Sequence, residues 1–237
     1  MIEVTNLKQT LHSGATPLDI LKGLNFNINA GESVAIVGPS GSGKTTLLGM
    51  LAGLDVPSGG RIMWQGRNLV EMSEDERAQL RAEQVGFVFQ QFQLLGSMTA
   101  LENVMLALEL KGERNATVEA AALLTRVGLG ERLSHYPRQV AGGEQQRVAI
   151  ARAFASKPRV LFADEPTGNL DTRTGDQIAD LLFELNAEQK TTLVMVTHDE
   201  RLAQRCGRSI RIEAGEISTD QSDVAPQIDS DSENSAA

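Results

Sequence analysis

The sequence predicts an α/β fold, and three features carry that expectation. Short apolar runs rich in β-branched residues alternate with helix-period segments, a glycine-rich turn joins one run to a helix, and residues 91–145 show helical periodicity without a strand. The runs Ile2–Leu7, Leu24–Ile28, Ser33–Val37, Arg61–Trp64, Val85–Phe89, Arg159–Ala163, Thr192–Val196 and Ser209–Ile212 have the length and composition of strands. Gly43–Ala52, Ala100–Leu110, Thr117–Val127, Gly143–Ser156, Gly175–Glu188 and Glu200–Gln204 repeat apolar residues every three to four positions, so each turns one face to a sheet or another helix. The stretch from about Gln91 to Gln145 reads as a helical insertion between core strands. No repeat of 20–50 residues is visible, so the unit occurs once. From Glu216 onward the chain is rich in Ser and Asp and poor in apolar residues, which predicts a disordered acidic tail, 216–237, behind one domain, 1–215.

With 237 residues, 41% apolar, 22% charged and 22 glycines, the chain suits a soluble globular domain with a sizeable core. Its net charge of −9 argues against a broad cationic surface, and so against non-specific nucleic-acid binding. Six acids and no Lys or Arg lie between Glu216 and Ala237, leaving the first 215 residues at −3. A single cysteine, Cys206, fits a reducing compartment and reads as a buried, inert thiol. The first residues lack the basic and apolar runs of a secretory signal, and the expectation is a cytosolic chain. The longest local apolar run, Leu47–Leu54, is too short to span a bilayer, so membrane work would require a partner.

Gly38-Pro39-Ser40-Gly41-Ser42-Gly43-Lys44-Thr45 fits G-x-x-x-x-G-K-[ST] and stands where that motif's mechanism needs it, between a strand and a helix. The glycines let backbone N–H groups turn inward on phosphates, and the helix N-terminus adds partial positive charge. Lys44 reaches the outer phosphates and Thr45, followed by Thr46, supplies a hydroxyl to magnesium. A glycine-rich turn without a ligand would account for the shape but not for the lysine and threonine. A second site stands at Val160-Leu161-Phe162-Ala163-Asp164-Glu165, where an apolar strand ends in two carboxylates. Alone, such a pair is more often a solvated turn. Beside a phosphate loop it fits a division of labour, since neighbouring side chains leave a strand in opposite directions. Asp164 suits the acid that holds magnesium through its water shell, and Glu165 the base that polarises an attacking water. These residues describe a P-loop NTPase.

Further residues narrow the reading. Val140-Ala141-Gly142-Gly143-Glu144-Gln145-Gln146-Arg147 resembles the signature motif of ATP-binding cassette (ABC) proteins. Gln90 in Phe87-Val88-Phe89-Gln90 looks like the family's Q-loop glutamine, Gly168-Asn169-Leu170-Asp171 like its D-loop, and His198 like its switch histidine. The resemblance covers about residues 2–215. It implies an ABC nucleotide-binding domain with a helical subdomain and a small antiparallel β part. It also implies an ATPase using ATP and Mg2+, with Gln90 serving catalysis and the metal and His198 contacting the γ-phosphate. Ala141, Gly142, Gly143, Glu144 and Asp171 would meet nucleotide held by a second copy of the chain, so that each dimer encloses two ATP. Such closure depends on an intact triphosphate, because hydrolysis removes the contact that favoured the closed state. His12 and His135 have no comparable context and read as surface residues.

Two positions depart from the family's pattern. Its signature usually reads Leu-Ser-Gly-Gly, so Ala141 lacks a hydroxyl that would cap the helix or touch phosphate; weaker closure or slower turnover is expected, not a dead site. The aromatic residue that commonly stacks on adenine is also missing, with Thr10, Leu11 and His12 in its neighbourhood. Phe87–Phe92, Leu101-Glu102-Asn103-Val104 and Ala163–Asp171 look like the LolD/MacB-type group, and Phe162 with Gly175–Leu182 tilts the likeness toward YbbA-like members. That group implies a peripheral ATPase on the cytoplasmic face of the inner membrane, driving a separate permease that handles lipoproteins, lipid-like molecules or drugs. The alternative is an ATP-gated adaptor that regulates periplasmic hydrolases without transport. No nucleic-acid partner is expected, since the paired cassettes, coiled coils or basic insertions such proteins carry are missing.

Overall fold

The computed structural model describes residues 1–13 and 16–222. The first half runs β1 (Ile2–Ser13), β2 (Thr16–Ile28), β3 (Ser33–Val37), α1 (Lys44–Leu51), β4 (Gly59–Trp64), β5 (Arg67–Asn68), α2 (Glu74–Gln84) and β6 (Val85–Phe89). Next come three helices, α3 (Ala100–Glu109), α4 (Ala116–Arg126) and α5 (Gly142–Ala155), with 3-10 turns at Gly130–Arg132 and Pro137–Gln139 between the last two. The chain continues through β7 (Val160–Asp164), α6 (Thr172–Gln189), β8 (Thr192–Val196), α7 (Glu200–Ala203), β9 (Arg208–Glu213) and β10 (Glu216–Ser222).

Two sheets form. One is antiparallel, in the order β2-β1-β4-β5; the other, β10-β9-β3-β8-β7-β6, is parallel except for β10. The parallel strands are buried on both faces, which is why they read as continuous apolar runs. Along β7, Leu161 and Ala163 join the core under α3, α4, α5 and α6, while Val160 and Phe162 join the core shared with α1 and the antiparallel sheet. Register sets Phe89 opposite Asp164, Asp164 opposite Val196, and Val196 opposite Ile36. Four strand ends therefore share one level at the carboxyl edge of the sheet, where open α/β sheets bind ligands.

The structure extends or corrects several sequence expectations. β1 and β2 are longer than Ile2–Leu7 and Leu24–Ile28, and their paired ladder carries three register shifts that break the alternation a sequence scan relies on. Helix α2 has only Leu80 buried, so it shows no apolar stripe; its signal is the capping box in which Ser73 accepts from the Glu76 amide and Glu76 from the Ser73 amide. His135 is half-buried instead of surface-exposed. Cys206 is buried, and that burial pushes its thiol up to about 12, as an inert role requires.

The largest correction concerns the acidic tail. Glu216–Ser222 is ordered as β10, antiparallel to β9, with Ile217 opposite Ile212 and Ser222 opposite Arg208. Composition misses this because the stabilisation is largely polar, with Ile217 the residue of β10 that packs on the core. Arg208, only 9% exposed, donates to both oxygens of Asp220 at 2.6 Å each, to Glu32 at 3.0 Å and to the Asn27 carbonyl at 2.8 Å. Its neighbours hold the guanidinium well above the usual arginine value, Asp220 foremost. Truncation after Gly215 would strip β9 of one of its two ladder partners and leave this cation with Glu32 as its one remaining acid among these contacts. We expect a loss of about 3 kcal/mol or more in unfolding free energy, measured by urea denaturation; an unchanged midpoint would show that the strand is dispensable. Residues 223–237 and the side chain of His12 lie outside the described residues.

Candidate functional site

Residues 38–46 leave β3 at the shared carboxyl edge and turn into α1. Gly38, Gly41 and Gly43 have φ of 148°, 77° and 96°, so three of the first six residues adopt backbone that glycine alone takes without strain. At Gly38 a Cβ would also lie 2.1 Å from the Ile212 carbonyl oxygen. Lys44 is buried, and its ammonium donates to the carbonyls of Gly38 (2.9 Å) and Pro39 (2.8 Å), which pins it over the loop. The Ser42 hydroxyl is buried without any hydrogen-bond partner, a polar atom that a phosphate oxygen would satisfy.

A cavity of about 670 Å³ opens beside this loop, lined by Ile20, Ser40, Gly41, Gly43, Lys44, Thr45, Thr46, Glu165, Val196 and His198. Strand β7 ends at Asp164, whose carboxylate accepts from the Thr45 hydroxyl at 3.4 Å. Burial pushes the Asp164 carboxyl up; the Thr45 hydrogen bond lowers it, nearby Glu165 raises it and Lys44 lowers it. An incompletely compensated carboxylate beside a hydroxyl suits a hard divalent cation, with phosphate and water oxygens supplying its other ligands. Among the described residues no cluster of three or more His, Cys, Asp or Glu would hold a metal unaided.

Glu165 has left the strand. Its φ of 46° is left-handed and its amide donates to the Val196 carbonyl at 2.9 Å, so the alternation rule stops at Asp164. The two acids still divide by partner. Glu165 Oε1 lies 2.8 Å from His198 Nδ1, and Oε2 accepts from the Thr197 hydroxyl at 3.4 Å. With Glu165 ionised, Nδ1 carries the proton, because a carboxylate only accepts. The Glu165 side chain is 17% exposed and that of His198 71%, so the ring stands over the acid at the cavity mouth.

The other predicted residues lie elsewhere. The Gln90 amide donates to Asn169 Oδ1 at 3.1 Å, and Asn169 returns a bond to the Gln90 carbonyl at 2.9 Å. Asp171 caps α6 by accepting from the Thr174 amide at 3.1 Å. It lines a separate cavity of about 360 Å³ that also touches Glu165 and His198. Ala141, Gly142, Gly143 and Glu144 form the start of α5, where a Cβ on Gly142 would meet Phe92 and Leu170, and one on Gly143 would meet Thr174. Thus one chain assembles the phosphate loop with Asp164, Glu165 and His198, and leaves the signature residues outside that cavity. The motifs contain Asn169 and Thr197 but give them no role of their own, and nothing in the sequence marks Ile20; it reaches the cavity because β2 packs over the loop, with the Ile20 carbonyl 3.1 Å from a Cβ at Gly43. Leu11, the candidate adenine neighbour, is 48% exposed, and Thr10 spends its hydroxyl on Asp19 at 2.7 Å.

Helix α5 begins with half a capping box. Glu144 accepts from the Ala141 amide at 2.9 Å, and that bond, with Arg132 assisting, holds its carboxyl below the usual range. Ser73 and Thr99 complete their boxes from nearly the same backbone, φ/ψ of −64°/163° and −66°/170° against −67°/161° at Ala141. A serine would therefore enter without strain. Ala141→Ser is expected to stabilise the fold by about 0.5–2 kcal/mol in thermal unfolding and to raise ATP affinity or turnover; no change in any of the three would mean that backbone donors suffice.

The fold and this site define a nucleotide-hydrolysing P-loop protein. The sequence profile of the ABC transporter family matches residues 21–168, and the chain belongs to that family as an ATP-binding, ATP-hydrolysing subunit. It is 55% identical over 219 residues to the uncharacterized ABC transporter ATP-binding protein YbbA of Escherichia coli K12, spanning 92% of this chain and 96% of that one. The lipoprotein-releasing system ATP-binding protein LolD of Syntrophus aciditrophicus is 46% identical, spanning 92% of this chain and 99% of its own. The macrolide export ATP-binding/permease protein MacB of Syntrophobacter fumaroxidans is 44% identical, but this chain spans only 33% of it. Among solved structures, the dimeric post-hydrolysis state of the cassette MJ0796 bound to ADP and Pi superposes with a TM-score of 0.86 at 39% identity, covering 94% of this chain and 98% of that one.

Proposed function

We propose that this chain is the ATPase subunit of a mechanotransmission-type transporter. Two copies close around ATP on the cytoplasmic face of the inner membrane and drive a separate integral-membrane permease whose cargo is a lipoprotein, a lipid-like molecule or a drug. The observation that carries the hydrolytic reading is the meeting of Thr45 with Asp164 and of His198 with Glu165 at one phosphate-loop cavity. In this reading backbone amides of residues 38–46 and Lys44 would hold the phosphates, and Thr45 and Asp164, with Gln90, would hold Mg2+. When bound, that ion screens phosphate charge and fixes the geometry of the chain of phosphates. Glu165 accepts a proton from the water that attacks the γ-phosphorus as the bond to the bridging oxygen breaks. His198 holds Glu165 in place and reaches the γ-phosphate from the cavity mouth.

The dimer is supported by what one chain leaves out. The start of α5, with free backbone amides at Gly142 and Gly143, suits an anion but stands outside its own chain's cavity, so a second copy would have to bring a phosphate to it. The MJ0796 cassette is itself dimeric. Among the described residues no helix is long and apolar enough to cross a membrane, and in this reading the permease supplies that part. The helical segment after Gln90 is where that partner would dock. Sedimentation velocity with Mg2+ and a slowly hydrolysed ATP analogue is expected to show a dimer that ADP does not support. A monomer under both conditions, including in the presence of the co-expressed permease, would refute the paired-subunit reading.

A further inference from the structure

Helix α5 carries a polar side chain into the core. Gln146, fully buried, stands one turn in from the start of the helix, and its amide nitrogen donates to the Pro166 carbonyl at 2.6 Å and to the Phe89 carbonyl at 3.4 Å. Those two acceptors fix the orientation of the amide, because its oxygen turned toward two carbonyl oxygens would only be repelled. The other end goes unmet: among the described residues Gln146 Oε1 is buried without a hydrogen-bond partner. A stranded acceptor weakens a fold, so stability alone does not account for a glutamine at this position. What its donors hold is the turn beside Glu165.

The backbone of that turn needs support. Glu165 has a left-handed φ of 46°, a conformation that a residue with a side chain keeps only where its surroundings over-determine it. Three contacts do so here. The Glu165 amide donates to the Val196 carbonyl at 2.9 Å, its carbonyl accepts from the Gly168 amide at 3.0 Å, and the next carbonyl along, that of Pro166, accepts from Gln146. The turn also closes against Gln90, since a Cβ at Gly168 would lie 2.9 Å from Gln90 Nε2. Phe89, the second acceptor, ends β6 directly before Gln90 and stands opposite Asp164 in the sheet. One buried amide therefore joins the chain on either side of the candidate catalytic acids.

We propose that Gln146 is a positioning residue for hydrolysis: its buried amide ties the strained turn of Glu165 to the end of β6 and to the first turn of α5, so that the carboxylate keeps its place in the phosphate-loop cavity. This rests on the reading of Glu165 as the base of an ATPase. Gln146 does not line that cavity, so it acts through Glu165 and not on the nucleotide. The leverage is geometric. A base displaced by a fraction of an ångström loses much of its rate advantage, whereas the phosphate loop, built from residues 38–46, is left as it was.

The test uses the full chain as wild type, Gln146→Met, Glu165→Gln and the double variant. Methionine keeps the length of the side chain, fills the space and has no donor. Gln146→Met is expected to lower kcat about tenfold or more while KM, and the affinity for a fluorescent ATP analogue, stay within about threefold. Added to Glu165→Gln, it is expected to change single-turnover hydrolysis by less than about twofold, because no base remains for it to position. A merely structural role would lower affinity together with kcat, or repeat the same loss in both backgrounds. Wild-type kcat in Gln146→Met, matching losses of kcat and affinity, or the full loss repeated in the double variant each overturns the proposal.

Should Gln146→Met fail to fold, Gln146→Glu takes its place. Protonated, the introduced acid gives one bond to a carbonyl; ionised, it gives none and faces two carbonyl oxygens. Burial raises the pKa of such an acid toward and beyond neutrality, so turnover relative to wild type is expected to fall as pH rises from about 6 to about 8.5. The ratio is used because Asp164, Glu165 and His198 titrate in both proteins. A ratio that does not change over that range overturns the proposal. The two levels of the reading fail separately: wild-type turnover in Glu165→Gln undermines the general base itself, whereas lost turnover there with none lost in Gln146→Met sinks the positioning role alone.

Discussion

Glu165→Gln is expected to lower steady-state ATP turnover by about 10²–10⁴-fold while leaving nucleotide affinity close to that of the wild type. The substitution keeps the shape of the side chain and its capacity to accept from His198 Nδ1 at 2.8 Å, but removes the basic carboxylate. Among the described residues Glu165 is the carboxylate that lines the phosphate-loop cavity, and its second oxygen is steadied by Thr197. Without hydrolysis the triphosphate persists, so the variant should also accumulate as the closed dimer with ATP and Mg2+. Phosphate release assays measure the first effect and light scattering the second. Wild-type turnover in this variant would remove Glu165 from the role of general base and transfer it to another group at the cavity mouth.

Lys44→Ala is expected to weaken ATP binding by roughly 10²-fold or more. Hydrogen bonds to charged groups contribute about 1.5–3 kcal/mol each, and the ammonium is placed to give more than one to the outer phosphates. Its present partners are the carbonyls of half-buried Gly38 and exposed Pro39, so the fold should survive the change. Titration with a fluorescent ATP analogue reads the affinity and thermal unfolding checks the fold. An affinity within threefold of wild type would mean that the loop amides hold the phosphates without the lysine.

These two residues were legible in different ways. Lys44 follows from a contiguous motif whose conformation is local: glycine positions permit the turn, and the strand before and the helix after it are visible in the same 20 residues. Glu165 was identified from its place at the end of an apolar run, yet the argument from strand alternation did not apply to it, because the chain leaves β7 at Asp164. His198 was assigned to the γ-phosphate by resemblance, and the structure adds that its ring is bonded to Glu165. The resemblance gives Gln90 a part in catalysis and metal binding, while its amide in this structure is bound to Asn169. Composition predicts disorder over 216–237, yet Glu216–Ser222 forms β10, because composition records apolar content but not a buried arginine awaiting Asp220.

What the amino-acid sequence determined alone is what short-range chemistry determines: the phosphate loop, the strands buried on both faces, and the hydroxyl missing at Ala141. Tertiary structure decided the rest. Thr45 and Asp164 are 119 residues apart, Glu165 and His198 are 33 apart, and Arg208 and Glu32 are 176 apart. Each pair meets because strand order and register bring distant segments to one level, and local periodicity carries no information about which strands become neighbours.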